Sequence, residues 1–179
     1  MEIQPVTELI EKAKSAYEAE DYEVAAQWYE RAASQYSQQG DGLNAAEMAN
    51  NRSVSLLRNS NPAAALQSSL GTDQVFAQSG DNRRQAMALG NQAAAYEALH
   101  KTEDAIRLYQ QSNELLKQIN EPSLRVFVLQ SLSGLYLRKQ HYLNAMAAMQ
   151  AALDIKPHLS LRERILKKLL QIVFGMLGH

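Results

Sequence analysis

An all-α solenoid of four helix-turn-helix repeats, closed by a C-terminal capping helix, is the fold the sequence predicts, and three observations predict it. Alanines at 25, 65, 105 and 145 mark matching segments, DYEVAAQWYERA, NPAAALQSSLGT, KTEDAIRLYQQS and HYLNAMAAMQAA, spaced 40 residues apart. Gly40-Asp41 returns as Gly80-Asp81 and weakens to Asn120-Glu121, while Asn51 returns as Asn91 and becomes Ser131. Between these points apolar and small residues recur at three- and four-residue steps, the spacing of a helix face, and no strand pattern competes. A fixed period of tens of residues decides the architecture: one hairpin cannot bury its apolar face alone, but stacked neighbours can.

Helices are expected near 7–19, 22–38, 42–58, 61–78, 82–99, 102–118, 122–138 and 142–155. Asp21, Asp41, Asn61, Asp81 and Thr102 are suitable N-caps, because their side-chain oxygens can accept from backbone N–H groups left open in a first turn. Pro62 follows Asn61 at the first helical position, where a missing N–H costs nothing. Gly40 and Gly80 supply the preceding left-handed or flexible position. Gly71 falls inside the helix predicted for 61–78, where glycine costs about 1 kcal/mol relative to alanine, so a kink or early end is expected there. Pro157 closes the last repeat, and Ser160-Leu161-Arg162-Glu163 has capping-box spacing, so a ninth helix starts there. The repeats are placed at about 7–40, 41–80, 81–120 and 121–157, with residues 158–179 as the capping segment.

Composition narrows the function. Eighteen Lys and Arg balance nineteen Asp and Glu for a formal charge of -1, which argues against a broad electrostatic footprint for nucleic acid. The chain has no cysteine, which removes disulfides and Cys-based zinc sites. Met1 to Ile10 carries Glu2, Pro5 and Glu8 and no basic apolar run, so a cytoplasmic protein is expected. The most apolar stretch, Ile165 to Leu177, contains Lys167, Lys168 and Gln171 and falls short of the roughly 20 residues that span a bilayer. No phosphate loop, nucleophile elbow or zinc-helix motif occurs, and neither an enzyme nor a cofactor is expected.

The small and large residues of each hairpin follow a family pattern. They are Ala13, Ala16, Ala25, Tyr29 and Ala32 in the first repeat, and Ala93, Tyr96, Ala105, Tyr109 and Ser112 in the third. The fourth has Ser133, Tyr136, Ala145, Met149, Ala152 and Pro157; the second, with Ser53, Leu56, Ala65, Ser69 and Thr72, fits least well. Small residues let two helices cross closely and large ones fill the space between hairpins. Over residues 7–157 the chain therefore resembles the tetratricopeptide repeat (TPR) family. The usual unit has about 34 residues, so the longer period implies a second helix longer by about a turn and a half. With its Gly-Asp turns, it looks like the subclass in kinesin light chains and Pins-type adaptors.

That resemblance implies a right-handed superhelix whose first helices line a concave groove, and an adaptor or assembly scaffold that holds a peptide or helix of a protein client there. The residues it places in the groove include Lys14, Asn50, Asn51, Arg58, Met87 and Asn91. Phe127, Gln130, Ser131 and Arg138 continue the series in the fourth repeat. The amides of Asn51 and Asn91 can satisfy an extended peptide backbone, or else bond to neighbouring helices. Arg58 and Arg138 share a register and can meet acidic side chains of a partner or of the chain itself. Gly90, Ala94 and Gly134 leave room for a partner's backbone or for close helix packing. Chaperone-binding members clamp a C-terminal carboxylate with Lys, Arg and Asn; here Ile10, Lys14, Asn51, Met87 and Asn91 stand at the matching places, so most of the cationic charge is missing.

The remaining signals read as packing. Trp28 and the tyrosines at 17, 22, 29, 96, 109, 136 and 142 occur mostly at core positions of the repeat. His100 and His141 precede second helices, with no further ligands to complete a metal site. In the last helix, Leu161, Ile165, Leu169, Ile172, Val173 and Met176 form the stripe expected to cap the solenoid. Leu166, Leu170, Phe174 and Leu177 widen the apolar arc, and Arg162, Arg164, Lys167 and Lys168 gather near its start. The alternative function is thus a membrane-peripheral or self-associating scaffold acting through this helix.

Overall fold

A computed structural model describes residues 4–177, with side chains through Met176. Ten helices and no strand occur among them: α1 (Val6–Glu18), α2 (Tyr22–Gln38), α3 (Gly42–Arg58), α4 (Pro62–Ser69), α5 (Thr72–Gln78), α6 (Asn82–Ala98), α7 (Thr102–Gln118), α8 (Pro122–Arg138), α9 (Tyr142–Ile155) and α10 (Leu161–Leu177). The fold is the expected all-α helical solenoid of hairpin repeats.

The turns repeat every 20 residues, half the period legible in the sequence. Glu20, Gly40, Ser60, Gly80, His100, Asn120 and Gln140 all have positive φ, between 53° and 76°. At each turn the next backbone N–H donates back across the helix end, from Asp21 to Ala16, Asp41 to Tyr36, Asn61 to Leu56 and Asp81 to Phe76. Lys101 to Tyr96, Glu121 to Leu116 and His141 to Tyr136 complete the series, every one at 2.9 Å. This six-to-one bond is the Schellman closure, which needs a left-handed residue just before its donor. The donor residue then opens the following helix. Asp21, Asp41, Asn61 and Asp81 accept from the N–H groups of Val24, Asn44, Ala64 and Arg84 at 3.3, 3.1, 3.3 and 2.8 Å. Thr102 is not the cap expected of it: it is the first helical residue, and the Lys101 carbonyl accepts from Ala105 at 3.1 Å.

Six helices (α2, α3, α6, α7, α8 and α10) are 17 residues long. The extra length of the repeat is therefore shared within a hairpin rather than added to its second helix. Three residues of turn plus 17 of helix give the 20-residue step.

The second repeat departs from this rule. In place of one helix over 61–78 the chain makes α4 and α5, separated by Leu70 (φ -58, ψ 130) and Gly71 (φ 80, ψ -10). Those angles are a type II turn, whose third position requires positive φ and so glycine. The break frees the Ser69 carbonyl, which accepts from Thr72 Oγ1 at 2.7 Å and from Gln92 Nε2 at 2.9 Å. Gln92 is itself buried on α6, and it also donates to Asp73 Oδ1 at 2.8 Å. A buried amide thus satisfies the backbone that glycine opened.

The chain divides into two compact units, residues 1–108 and 109–179, with the boundary inside α7. In the first, Ala13, Ala25, Ala32, Ala65, Ala93 and Ala105 are fully buried, as the small-residue pattern required. Tyr29 packs with Leu9, Ala13, Ala32 and Met48, and Phe76 with Ala46 and Ala88. The second unit buries Tyr109, Leu116, Leu135, Ala145 and Leu153, and Ser133 Oγ donates to the Ala145 carbonyl at 2.8 Å, tying α8 to α9. Tyr142 is 59% exposed and does not join the core as expected of it.

The capping box at α10 forms as predicted. Glu163 N–H donates to Ser160 Oγ at 3.4 Å, and Ser160 N–H donates to Glu163 Oε2 at 2.8 Å. Lys156 Nζ meets Glu163 Oε1 at 2.5 Å. The lysine, then the Ser160 N–H and hydroxyl, hold the Glu163 carboxyl down to about 2, against an ordinary value of 4.5.

The packed face of α10, however, is the reverse of the one anticipated. Leu170 is buried and Phe174 and Lys167 half-buried, Lys167 reaching Asp154 of α9 at 2.7 Å. The stripe expected to cap the solenoid points outward instead: Leu161 is 74% exposed and Met176 75%. Leu170, assigned to a free contact face, is therefore core, and the Leu177 side chain lies outside the described residues.

Three outcomes follow. Gln140→Gly should stabilise the fold by about 0.5–1 kcal/mol, by relieving a left-handed non-glycine residue, and Gly71→Ala should destabilise it by about 1 kcal/mol or more. Chemical denaturation measures both, and equal midpoints for wild type and Gln140→Gly would contradict the assignment of the turns. Because the Glu163 pKa is lowered in the fold, its contribution is complete above the ordinary value of 4.5 and is lost as pH falls toward 2. Glu163→Gln should accordingly be less stable than wild type above that window and match it at the acid end, as followed by circular dichroism.

Candidate functional site

The first helices of consecutive hairpins meet in register within residues 1–108. Asn91 Nδ2 of α6 donates to Asn50 Oδ1 of α3 at 3.3 Å. Three residues earlier on α3, Glu47 Oε2 accepts from Arg84 Nη1 at 2.8 Å. Arg84 Nε also donates to Asp81 Oδ2 at 2.6 Å, and its guanidinium lies 5.4 Å from the centre of the Phe76 ring. The Arg84 backbone N–H and then its side chain hold the Asp81 carboxyl below the usual carboxylate range. Side chains about one 40-residue period apart therefore face each other across the α3–α6 seam.

This geometry sorts the residues proposed for the groove. Asn50 is only 7% exposed, and its Nδ2 donates to the Ala46 carbonyl at 3.1 Å, so it is a buried helix tie and not a ligand-facing amide. Asn91 is half-buried and spends a donor on Asn50. Asn51 is half-buried with no side-chain hydrogen bond among the described residues. Met87, one turn before Asn91, is 40% exposed, and Lys14 and Arg58 are exposed on α1 and α3.

In residues 109–179 the matching face belongs to α8. Phe127 is 60% exposed and Leu137 is 52%, and Gln130 and Arg138 are exposed between and beside them; Ser131 is half-buried. A Cβ built on Gly134 would meet nothing nearer than Arg138 Nη1 at 4.0 Å. Close packing does not explain that glycine, which leaves half-buried backbone without a side chain between two exposed apolar ones.

The opposite side of α8 borders a groove that the sequence did not reveal. Leu132 and Tyr136 of α8, Leu143, Asn144, Ala147 and Ala148 of α9, Gln110, Asn113 and Glu114 of α7, and Phe174 of α10 enclose about 770 Å³ of open space. Gln110 Nε2 donates to Tyr136 Oη at 2.8 Å, and Arg125 Nε to Asn113 Oδ1 at 3.0 Å, so part of its polar rim is already hydrogen-bonded. Projection of repeat register onto first helices could not find it, since second helices and α10 supply most of its wall.

A net charge of -1 also conceals a partition between the two units. Residues 1–108 hold fifteen acidic and nine basic residues, for -6, and residues 109–179 hold four acidic and nine basic, for +5. Exposed large apolar side chains follow the same division. Among the described residues of the first unit only Leu70 and Met87 qualify, whereas the second has Phe127, Leu137, Tyr142, Leu143 and seven on α10.

No group of three or more His, Asp or Glu that could hold a metal ion occurs among the described residues. His100 occupies a left-handed turn position, and His141 stacks on Tyr136 with ring centres 6.4 Å apart. None of the described helices is long and apolar enough to cross a membrane.

No curated protein matches the chain by sequence. Among solved structures, BtubC (BKLC) from P. vanneervenii has a similar fold, with a TM-score of 0.63 and 17% identity over 95% of this chain and 82% of that one. The family model of SNAP, soluble NSF attachment protein, matches residues 2–168. With helical hairpins of TPR type across nearly its whole length, the chain belongs to the soluble NSF attachment protein family.

Proposed function

We propose that this protein is an adaptor or assembly scaffold that binds a peptide segment or helix of a protein client through the faces of its first helices. The observation that carries the reading is the α8 face. Phe127 and Leu137 stand exposed about three turns apart, on either side of Gly134, with Gln130 and Arg138 within a turn of them. An apolar anchor pair around backbone without a side chain, rimmed by an amide and a cation, suits a peptide or amphipathic helix. Lys14, Asn51, Arg58, Met87 and Asn91 are assigned the same role in residues 1–108, and Ser131 in α8. The family is named for attachment to NSF, another protein, which supports a protein client and makes NSF a sensible first probe. The 40-residue period and the likeness to BtubC (BKLC) support grouping the repeats with the long-period TPR subclass.

Affinity capture with wild type, Phe127→Ser/Leu137→Ser and Asn51→Ala/Met87→Ser should identify clients retained by wild type and lost by the variants. For a purified client, titration should give at least about a tenfold weaker Kd for Phe127→Ser/Leu137→Ser, since each apolar anchor contributes more than about 1.4 kcal/mol when buried. Since both side chains are exposed, unfolding is not expected to produce the loss, and an unchanged melting curve controls for it. Client affinity that stays the same in both double variants would reject the assigned faces.

A further inference from the structure

Beyond client binding, we infer that α10 is a peripheral anchor for an anionic lipid surface. Seven apolar side chains of this helix are exposed, and the stripe of Leu161, Ile165, Leu169, Ile172 and Met176 extends over more than four turns. At 3.6 residues per turn this stripe is roughly 170° around the helix from the packed side held by Glu163, Lys167, Leu170 and Phe174. It therefore faces away from α9. So large a continuous apolar strip on a described surface calls for an apolar partner.

Charge selects the partner. Arg162, Arg164 and Lys168 are exposed on α10, while its one acid, Glu163, is engaged by Lys156 and Ser160. Lys167 is committed to Asp154 and does not contribute. A second copy of α10 would bring no free carboxylate to these three cations, whether it packed parallel or antiparallel. The acidic unit of another copy supplies charge but, among its described residues, only Leu70 and Met87 as exposed large apolar side chains, too few to cover the strip. An anionic bilayer surface supplies both needs at once: phosphate and carboxylate head groups for the cations, and an acyl boundary for the apolar side chains. At 17 residues the helix is too short to span, and it lies in the interface.

Vesicle flotation of the full chain tests this. Wild type should float with vesicles containing phosphatidylserine and much less with phosphatidylcholine alone, and added salt should weaken the binding. Arg162→Gln/Arg164→Gln/Lys168→Gln should lower the partition coefficient on the order of a hundredfold, from about 1 kcal/mol per basic residue. Ile165→Ser/Ile172→Ser should lower it at least about tenfold with the charges intact. Both variants alter exposed positions, and they should keep wild-type helicity and client affinity, which separates this test from that of the α8 face. Absence of flotation, or equal flotation of wild type and both variants, would overturn the inference. So would a wild-type dimer in sedimentation velocity that Ile165→Ser/Ile172→Ser converts to monomer, with no vesicle binding by either.

Discussion

A backbone hydrogen bond that reaches five residues back across a helix end, made possible by a left-handed residue at every twentieth position, sets the geometry of this protein. Each such bond satisfies a carbonyl that the finished helix leaves open, and its donor residue begins the next helix. The angle between consecutive helices is thus set by three residues of backbone rather than by a flexible loop. Only two of these seven positions are glycine; Glu20, Ser60, His100, Asn120 and Gln140 adopt the same conformation at a cost of about 1 kcal/mol or more each. Their persistence means that helix packing on both sides over-determines the turn. Once turn and helix length are constant, equivalent side chains recur at equivalent places, as Asn50 with Asn91 and Glu47 with Arg84 demonstrate on the α3–α6 seam.

The one interruption of this regularity is compensated by a specific buried group. Gly71 breaks the second helix of the second repeat, and Thr72 and Gln92 take up the Ser69 carbonyl that the break exposes. The bend also delivers Phe76 between Ala46 and Ala88, where it is 1% exposed. A buried glutamine on a neighbouring hairpin would otherwise be an expensive polar group; here it repairs the helix it packs against.

Function follows from what the regular core leaves uncovered. The two units differ in sign of net charge and in exposed apolar surface: residues 109–179 have the net positive charge and, among the described residues, most of the exposed large apolar side chains. Most of that surface lies on two separate helices, α8 and α10. On α8 the exposed side chains flank half-buried backbone without a side chain at Gly134, which suits a polypeptide; on α10 they form an uninterrupted strip beside cations, which suits a lipid interface. Two different partners can therefore be assigned to the same unit without competing for the same residues.

The sequence alone determined the period, the helical class, four of the five proposed caps and the alanines that let helices cross, because each depends on neighbours within a few residues or on strict repetition. It exposed Gly40 and Gly80 but not the intervening left-handed positions, since Glu, Ser, His and Gln carry no local mark of that conformation. Tertiary structure decided which of two amides in the pair Asn50-Asn51 is buried, where the groove beneath Phe174 forms, and which side of α10 packs. In α10 the apolar arc is wide enough for either side to serve as the core. Hydrophobic patterning is non-directional: it tells how much surface seeks cover, and only the neighbouring helix, here through Leu170, Phe174 and the Lys167–Asp154 pair, settles which part receives it.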